Sequence, residues 1–321
     1  MRLPNFDVYK PSNLLEALQW LNNNKGRNIQ IIAGGTDLLV NLREPVIPQG
    51  HRPPLDKNPE GVWKAKKLET SPVEILLALW NLRELQGIGW EEERLRVGAM
   101  CRIKELAQSP LVDTYLTALA DGAKVLGTTL VRNRGTFGGN ICNARPAADT
   151  AIPTLALEGK LHLVSYSEER EVPFEEFVIS PGKTVRREDE ILKEIYFPSF
   201  WSPPSGVSSF IRLSTRLSLD IAIVSVAVAL KFSNGGRIEK VRIALGAVGP
   251  TPLLAYRAME HLEGRYLDDE QISIASRLAI KDAKPINDFR GSREYREWMV
   301  EVLVRRALIK ALRRNSLIPY D

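Results

Sequence analysis

The sequence predicts an α+β fold of about two domains, and three observations lead to this prediction. The chain has 321 residues, enough for two domains of about 150 residues each. Hydrophobic residues make up 44% and charged residues 26%, as is typical of a globular protein. Helical and strand-like stretches are mixed in the first part, whereas a strand-rich stretch followed by helices begins near residue 205.

The N-terminal part begins with a helix that leads into a strand. Apolar residues recur at helical spacing between Leu14 and Leu21. A β-rich run at 28–33 follows and breaks at Gly34 and Gly35. The pattern therefore predicts a strand that ends in a glycine turn.

The middle of the chain alternates between the two periodicities. Residues 44–66 are rich in proline and predict an irregular surface segment. The elements predicted after it are a strand at 95–99, helical stretches over 102–127, a glycine-bearing loop at 132–140, a helix at 149–157, a hairpin around 167–169 and a strand at 191–197.

The C-terminal part has a different character. Residues 201–206, Trp-Ser-Pro-Pro-Ser-Gly, predict a linker. Two β-prone runs at 221–232 and 241–248 flank an Asn-Gly-Gly turn and predict a hairpin. Three helical stretches complete the chain, at 253–263, 268–282 and 291–314. A sheet backed by helices is the expected result.

Composition excludes several classes of function. An iron–sulfur cluster needs about four thiolates, and Cys101 and Cys142 are the only two cysteines. The three histidines have no close neighbour of their kind, so no metal site is predicted. The net charge of +5 includes a basic run near the C-terminus, but its arginines alternate with apolar residues, so nucleic-acid binding is not predicted. No apolar run is long enough for a membrane span and no export signal is visible, which leads us to expect a cytoplasmic protein.

Two glycine segments are the candidates for chemistry. These segments are Ala33-Gly34-Gly35-Thr36-Asp37 and Thr136-Phe137-Gly138-Gly139-Asn140. Adjacent glycines allow backbone N–H groups to converge on an anion, and the flanking hydroxyls add donors suited to a pyrophosphate. Simple tight turns are an equally good interpretation of the pattern alone. The Gly-x-Gly-x-x-Gly dinucleotide motif is absent, and Gly182-Lys183-Thr184 lacks the context of a P-loop.

The two segments, taken with their surroundings, resemble the paired flavin-pyrophosphate loops of the FAD-binding medium subunits of molybdenum hydroxylases. The resemblance covers nearly the whole chain in order. The further matching stretches are Phe6 to Pro11, Asn143 to Thr150, Arg216 to Ala222, Gly249 to Pro252 and Asp288 to Ser292. Carbon monoxide dehydrogenase, xanthine dehydrogenase, aldehyde oxidoreductases and 4-hydroxybenzoyl-CoA reductase belong to this family.

The resemblance implies a p-cresol methylhydroxylase-like FAD-binding domain over residues 1–200, with two α/β subdomains at about 1–55 and 56–200. A C-terminal α+β domain would occupy residues 205–321. The cofactor-binding residues carried over by position are Ile31, Ile32, Ala33, Gly34, Gly35, Thr36, Asp37, Leu38, Leu126, Thr136, Gly138, Gly139, Asn140, Asp149, Leu192 and Arg212. No residue of this chain is assigned a catalytic role.

The implied function is that of a FAD-carrying electron-transfer subunit of an oxidoreductase. Its partners would be a large molybdopterin subunit and a small 2Fe–2S subunit, and a dimer of heterotrimers is one assembly that the resemblance suggests. Relatives of 4-hydroxybenzoyl-CoA reductase carry a cysteine-rich cluster loop after the position of Asn140, and this chain lacks it. A self-contained flavin oxidoreductase of the same fold is the alternative, and Tyr196 and Cys142 are open candidates for contact with the flavin.

Overall fold

The computed structural model describes residues 3–43, 55–57, 63–65, 73–216 and 220–314. The strands of this part of the chain are β1 (Asp7–Tyr9), β2 (Ile29–Ile32), β3 (Leu55–Lys57), β4 (Trp63–Ala65), β5 (Ile75–Ala78), β6 (Ile88–Glu91), β7 (Arg94–Gly98), β8 (Lys160–Val164), β9 (Glu169–Pro173), β10 (Val178–Ser180), β11 (Lys183–Thr184), β12 (Ile191–Pro198), β13 (Gly206–Leu213), β14 (Val224–Phe232), β15 (Ile238–Gly246) and β16 (Leu253–Leu254). The helices are α1 (Leu14–Asn23), α2 (Leu38–Arg43), α3 (Ile103–Gln108), α4 (Pro110–Tyr115), α5 (Thr117–Val125), α6 (Thr129–Arg134), α7 (Phe137–Cys142), α8 (Ala151–Ala156), α9 (Phe174–Phe177), α10 (Tyr256–Leu262), α11 (Asp269–Ala279) and α12 (Arg293–Leu312).

A three-stranded parallel sheet in the order β1–β5–β2 forms the N-terminal layer. Helix α1 begins where the Asn13 side chain accepts from the Glu16 backbone N–H at 2.9 Å, which caps the helix. The same helix buries Ala17, Leu18 and Leu21. The central strand β5 lies beyond residue 55, the expected end of the first subdomain, yet it pairs with both β1 and β2. Parallel strands need a long crossover connection, so the partner of β2 lies well after it in the chain. Most of the predicted proline-rich segment 44–66 lies outside the described residues.

A five-stranded antiparallel sheet in the order β6–β7–β12–β8–β9 forms the second layer. One face packs Val97, Leu163 and Ile195 against the helices of the central part of the chain. The predicted hairpin around residues 167–169 is confirmed as β8–β9. The predicted strands at 95–99 and 191–197 are confirmed as β7 and β12.

The C-terminal four-stranded sheet, β13–β14–β15–β16, is buried on both faces. Successive side chains of a strand point to opposite faces, and β14 separates them by size. Its larger side chains, such as Val226 and Leu230, pack with the C-terminal helices. The small residues Ala227 and Ala229 pack into the core of the N-terminal part instead. The sheet therefore joins the two parts through its small-residue face.

Polar contacts reinforce this junction. The Asp121 carboxylate on α5 accepts from Lys310 Nζ and from both terminal nitrogens of Arg314, each at 2.8 Å. It also accepts from the Phe210 backbone N–H at 3.1 Å. Lys310 of α12 and Arg314 just beyond its end, two cations of the basic run near the C-terminus, are thus used inside the molecule.

The segment 201–206, predicted as a linker, connects strand β12 to strand β13, and part of it is packed into the core. Trp201 is among the largest fully buried side chains, and Ser202 is buried as well. Only Pro203 and Pro204 are exposed. The indole of Trp201 fills the core beneath the sheet, which local composition rich in proline and serine does not reveal. Among the described helices, none is long and apolar enough to cross a bilayer.

Candidate functional site

The first glycine segment leaves strand β2 and enters helix α2. Gly35 adopts φ +74°, a conformation that favours glycine. The backbone N–H groups of Gly34, Gly35, Thr36 and Asp37 donate to no other residue that the structure describes. Gly34, Gly35 and Thr36 are half-buried and Asp37 is exposed, so this run of N–H groups can donate to water or to an acceptor that binds from outside the chain.

The second glycine segment was predicted as a loop, and that prediction is wrong. Thr136 is the cap of helix α7, and Gly138, Gly139 and Asn140 form its first turn. The N–H of Gly138 donates to Ala99 O at 2.8 Å, and that of Gly139 donates to Thr136 Oγ1 at 3.2 Å. The N–H groups of this turn are therefore satisfied within the protein, and an anion-binding nest is not formed by them.

The two segments touch each other. A Cβ atom on Gly34 would overlap the carbonyl oxygen of Arg134 and the backbone of Gly135. A Cβ atom on Gly139 would lie 2.8 Å from Thr136 Oγ1 and 3.7 Å from the Cβ of Ala33. Because these glycines have no side chains, the two segments can pack against each other just after strand β2.

A cleft with a volume of about 410 Å³ opens where the segments meet. Thirteen of the sixteen residues predicted from the sequence line it. These residues are Ile31, Ala33, Gly34, Gly35, Thr36, Asp37, Leu38, Leu126, Thr136, Gly138, Gly139, Asn140 and Leu192. The volume lies within the range of about 300–1,000 Å³ usual for cofactor and ligand pockets.

Ile32, Asp149 and Arg212 do not line the cleft. Ile32 is buried in a small cluster of the first sheet. Arg212 Nη1 donates to Asp149 Oδ2 at 2.7 Å, and both side chains are more than nine-tenths buried. Burial raises the pKa of Asp149 to about 6, while the Arg212 guanidinium acts in the opposite direction. The pair joins the segment after α7 to strand β13 instead of facing the cleft.

Sequence reasoning missed several residues that line the cleft. The most informative are Arg145, Arg186 and Thr184. Arg186 Nη1 donates to the carbonyl oxygens of Arg187 at 2.8 Å and Glu190 at 2.7 Å, so its guanidinium is held in place. Arg145 lies within a stretch quoted for the family resemblance, but no spacing rule links it to Arg186. Folding places the β10–β11 hairpin beside the end of α7, where the Gly182 N–H donates to Ala144 O at 3.0 Å, and both cations then line the cleft.

Of the two candidates for contact with a flavin, Cys142 lines the cleft and Tyr196 does not. Cys142 lines the cleft, but burial raises the pKa of its thiol to about 11, so the thiol is protonated near neutral pH. Tyr196 lies outside the cleft lining, on the polar face of the five-stranded sheet. Its hydroxyl donates to Glu91 at 3.0 Å and Glu194 at 2.9 Å.

The cleft fits a flavin dinucleotide. The free N–H groups of the first segment suit the oxygens of a pyrophosphate, and Arg145 and Arg186 add positive charge. Apolar side chains offer surfaces for flat ring systems. They are Leu38, Leu79, Met100, Ile103, Leu126, Val131, Ile191 and Leu192. Among the described residues, no group of three or more histidine, cysteine, aspartate or glutamate side chains gathers to form a metal site.

Two family models match the chain. Residues 60–200 match the FAD binding domain in molybdopterin dehydrogenase. Residues 209–311 match the CO dehydrogenase flavoprotein C-terminal domain. The second glycine segment lies inside the first of these matches, and the first glycine segment precedes it.

Curated relatives match over almost the full length. The carbon monoxide dehydrogenase medium chain of Hydrogenophaga pseudoflava is 30% identical over 97% of this chain and 98% of the relative. The xanthine dehydrogenase FAD-binding subunit of Escherichia coli O157:H7 is 27% identical over 95% of each chain.

A solved structure is similar to this chain over almost its full length. It is that of the carbon monoxide dehydrogenase from Hydrogenophaga pseudoflava which lacks the Mo-pyranopterin moiety of the molybdenum cofactor. It superimposes with a TM-score of 0.84 at 29% identity and covers 98% of this chain and 100% of the other. The chain therefore belongs to the FAD-binding medium subunits of the molybdenum hydroxylases, a family of oxidoreductases, and FAD is its cofactor.

Proposed function

We propose that the chain receives electrons from 2Fe–2S centres of a small partner subunit and passes them through FAD to an external acceptor. A large partner with a molybdopterin centre would hold the substrate site. A flavin supplies the means to accept electrons singly and release them in pairs. The chain itself has only two cysteines, too few for an iron–sulfur cluster. The metal centres must therefore reside on other subunits.

The observation that carries this proposal is the run of free N–H groups at Gly34, Gly35, Thr36 and Asp37 beside the cleft. We assign the pyrophosphate to these groups and to the adjoining residues Ile31, Ala33 and Leu38, while the buried Ile32 anchors the strand from which the segment leaves. Thr136, Gly138, Gly139 and Asn140 form the facing wall, and Leu126 and Leu192 offer apolar contact to a ring.

Asp149 and Arg212 are given an indirect role in this proposal. The ion pair holds the segment after α7 to strand β13, and Thr150 beside it donates to Asn140 Oδ1 at 2.6 Å. Asn140 lines the cleft, so the pair supports the cleft wall from behind. The division into residues 1–200, with its two subdomains, and 205–321 is part of the same proposal, with strand β5 assigned to the first sheet.

The assembly is proposed to be a cytoplasmic complex of this chain with the large and small subunits, with a dimer of heterotrimers as its fullest form. In the self-contained alternative, the chain would oxidise its own substrate and would need a base at the flavin. The described residues that line the cleft include no histidine, and the thiol of Cys142 is protonated. These facts favour the subunit role.

The first test is to purify the chain alone and record its visible spectrum. We expect a flavin spectrum, release of FAD on denaturation, and no iron or molybdenum. A colourless protein that does not take up added FAD would contradict the assignment of the cleft.

The second test separates the subunit role from the alternative. The FAD-loaded chain is mixed with small-molecule reductants of the aldehyde and heterocycle classes, with and without the co-expressed partner subunits. We expect flavin reduction only with the partners. Reduction by the isolated chain at the same rate would favour the self-contained enzyme.

A further inference from the structure

Trp80 contacts the back of the first glycine segment. Its indole Nε1–H donates to the carbonyl oxygen of Ala33 at 2.6 Å. The side chain is 40% exposed and does not line the cleft, whereas Ala33 and Gly34 do. A large aromatic side chain at the surface thus holds a main-chain oxygen of the site from outside.

The geometry of the peptide group gives this hydrogen bond a consequence on the other side. In a planar trans peptide, the C=O of one residue and the N–H of the next point in opposite directions. When the carbonyl of Ala33 is held toward Trp80, the N–H of Gly34 points away from Trp80, and both Ala33 and Gly34 line the cleft. This N–H is among the donors that have no acceptor within the described chain.

The indole is itself fixed by its position. Trp80 comes two residues after β5, the central strand of the parallel sheet. The preceding residue, Leu79, donates its N–H to Ile32 O at 3.1 Å. The ammonium of Lys10 lies 5.7 Å from the centre of the indole ring. The end of β5 therefore holds two successive carbonyl groups at the start of the glycine segment.

We propose that Trp80 is a positioning residue for the cofactor: it fixes the plane of the Ala33–Gly34 peptide so that the Gly34 N–H donates to the pyrophosphate of FAD. This proposal rests on the proposed location of FAD in the cleft. Gly34 has no side chain to restrict its backbone. The hydrogen bond from Trp80 restricts it before FAD binds, so less conformational entropy is lost on binding.

The test replaces the donor and keeps an aromatic ring, with Trp80→Phe. Dissociation constants are measured for FAD, ADP and riboflavin with the purified apoprotein. Loss of about one net hydrogen bond predicts binding of FAD and ADP weaker by about three- to tenfold. Riboflavin has no pyrophosphate, so its binding should not change. Trp90→Phe is the matched control, because Trp90 is 42% exposed and does not line the cleft.

A second variant excludes a packing effect. A benzothiophene analogue of tryptophan at position 80 keeps the shape of the indole but lacks the N–H donor. It should weaken FAD and ADP binding as much as Trp80→Phe does, and the unfolding midpoint of the apoprotein should fall only slightly, by the loss of one half-exposed hydrogen bond. Normal binding by the analogue, or an equal loss for riboflavin, would overturn the proposal. If the wild-type chain binds neither FAD nor ADP, the location of the cofactor fails instead.

Discussion

The two glycine segments look alike in sequence but use their backbone in opposite ways. Each has a Gly-Gly pair and a nearby threonine: Thr36 directly follows the first pair, and Thr136 precedes the second pair with one residue between them. In the first segment the N–H groups have no acceptor within the described chain. In the second they donate to Ala99, Cys101 and Thr136. A shared pattern can thus provide a donor surface in one place and a packing surface in another.

The reason lies in what surrounds each segment. The first follows the end of strand β2 at a half-buried cleft edge, where Gly35 has a positive φ and turns the chain away from the sheet. The second begins a helix that packs on the residues after strand β7, and Phe137 beside its glycines is fully buried. A buried backbone must satisfy its polar groups internally, whereas a segment at a cleft can leave them for a ligand.

The strongest test of the contrast adds one methyl group to each segment. In Gly34→Ala the new carbon would overlap the main chain at Arg134, which cannot rotate away. We expect destabilisation by about 1–3 kcal/mol and loss of FAD binding. In Gly139→Ala the carbon meets the Thr136 hydroxyl at 2.8 Å, which can move, so the loss should be smaller. Urea unfolding of both apoproteins checks the order, and equal losses would break the comparison.

The two threonines offer a matched pair with a medium effect. Thr136 Oγ1 caps α7 by accepting from Gly139 N, so Thr136→Ala should cost about 1 kcal/mol of stability. The hydroxyl of Thr36 lies 3.4 Å from the Asp37 carboxylate and has no other described partner. Thr36→Ala should leave stability unchanged and weaken FAD binding by a few fold. Unfolding midpoints and FAD titration of both variants separate the roles. A stability loss in Thr36→Ala would remove the distinction.

The smallest effect on FAD binding is expected in the five-stranded sheet, which supplies neither glycine segment. Burial by itself would raise the pKa of Glu194, but hydrogen bonds from His162, Arg96 and Tyr196 outweigh it and lower the pKa to about 2. Because the pKa is lower in the folded state, the ionised carboxylate contributes its full stabilisation at pH values above 4.5, the usual pKa of a glutamate. This contribution is lost as the pH falls from about 4.5 toward 2.

Glu194→Gln should therefore lower the unfolding midpoint at pH 7 and flatten its dependence on pH below 4.5. FAD affinity at pH 7 should stay unchanged, because Glu194 does not line the cleft. Glu171→Gln, which breaks the more exposed pair with Arg94, is the control and should have little effect. Altered FAD binding in Glu194→Gln would show that the sheet and the cleft are coupled.

Much of the fold could be predicted because its signals are local. The spacing from Leu14 to Leu21 gave α1, and the Asn-Gly-Gly turn gave the β14–β15 hairpin. The three C-terminal helices are confirmed as α10, α11 and α12. The predicted loop at 132–140 was wrong because two glycines lower helix propensity locally, while packing on Ala99 stabilises the helix there. The burial of Trp201 inside the predicted linker could not be read from the local sequence, because it depends on the distant C-terminal sheet.

The sequence by itself determined which side chains and which glycines are present, the absence of enough thiolates for a cluster, and the family resemblance that named FAD. Only the tertiary structure decided that the donors of the first segment are free, that Arg145 and Arg186 meet at the cleft, and that Asp149 pairs with Arg212. The physical reason is distance along the chain. Periodicity and turn chemistry depend on near neighbours, whereas whether a backbone N–H has an acceptor depends on residues that only folding brings together.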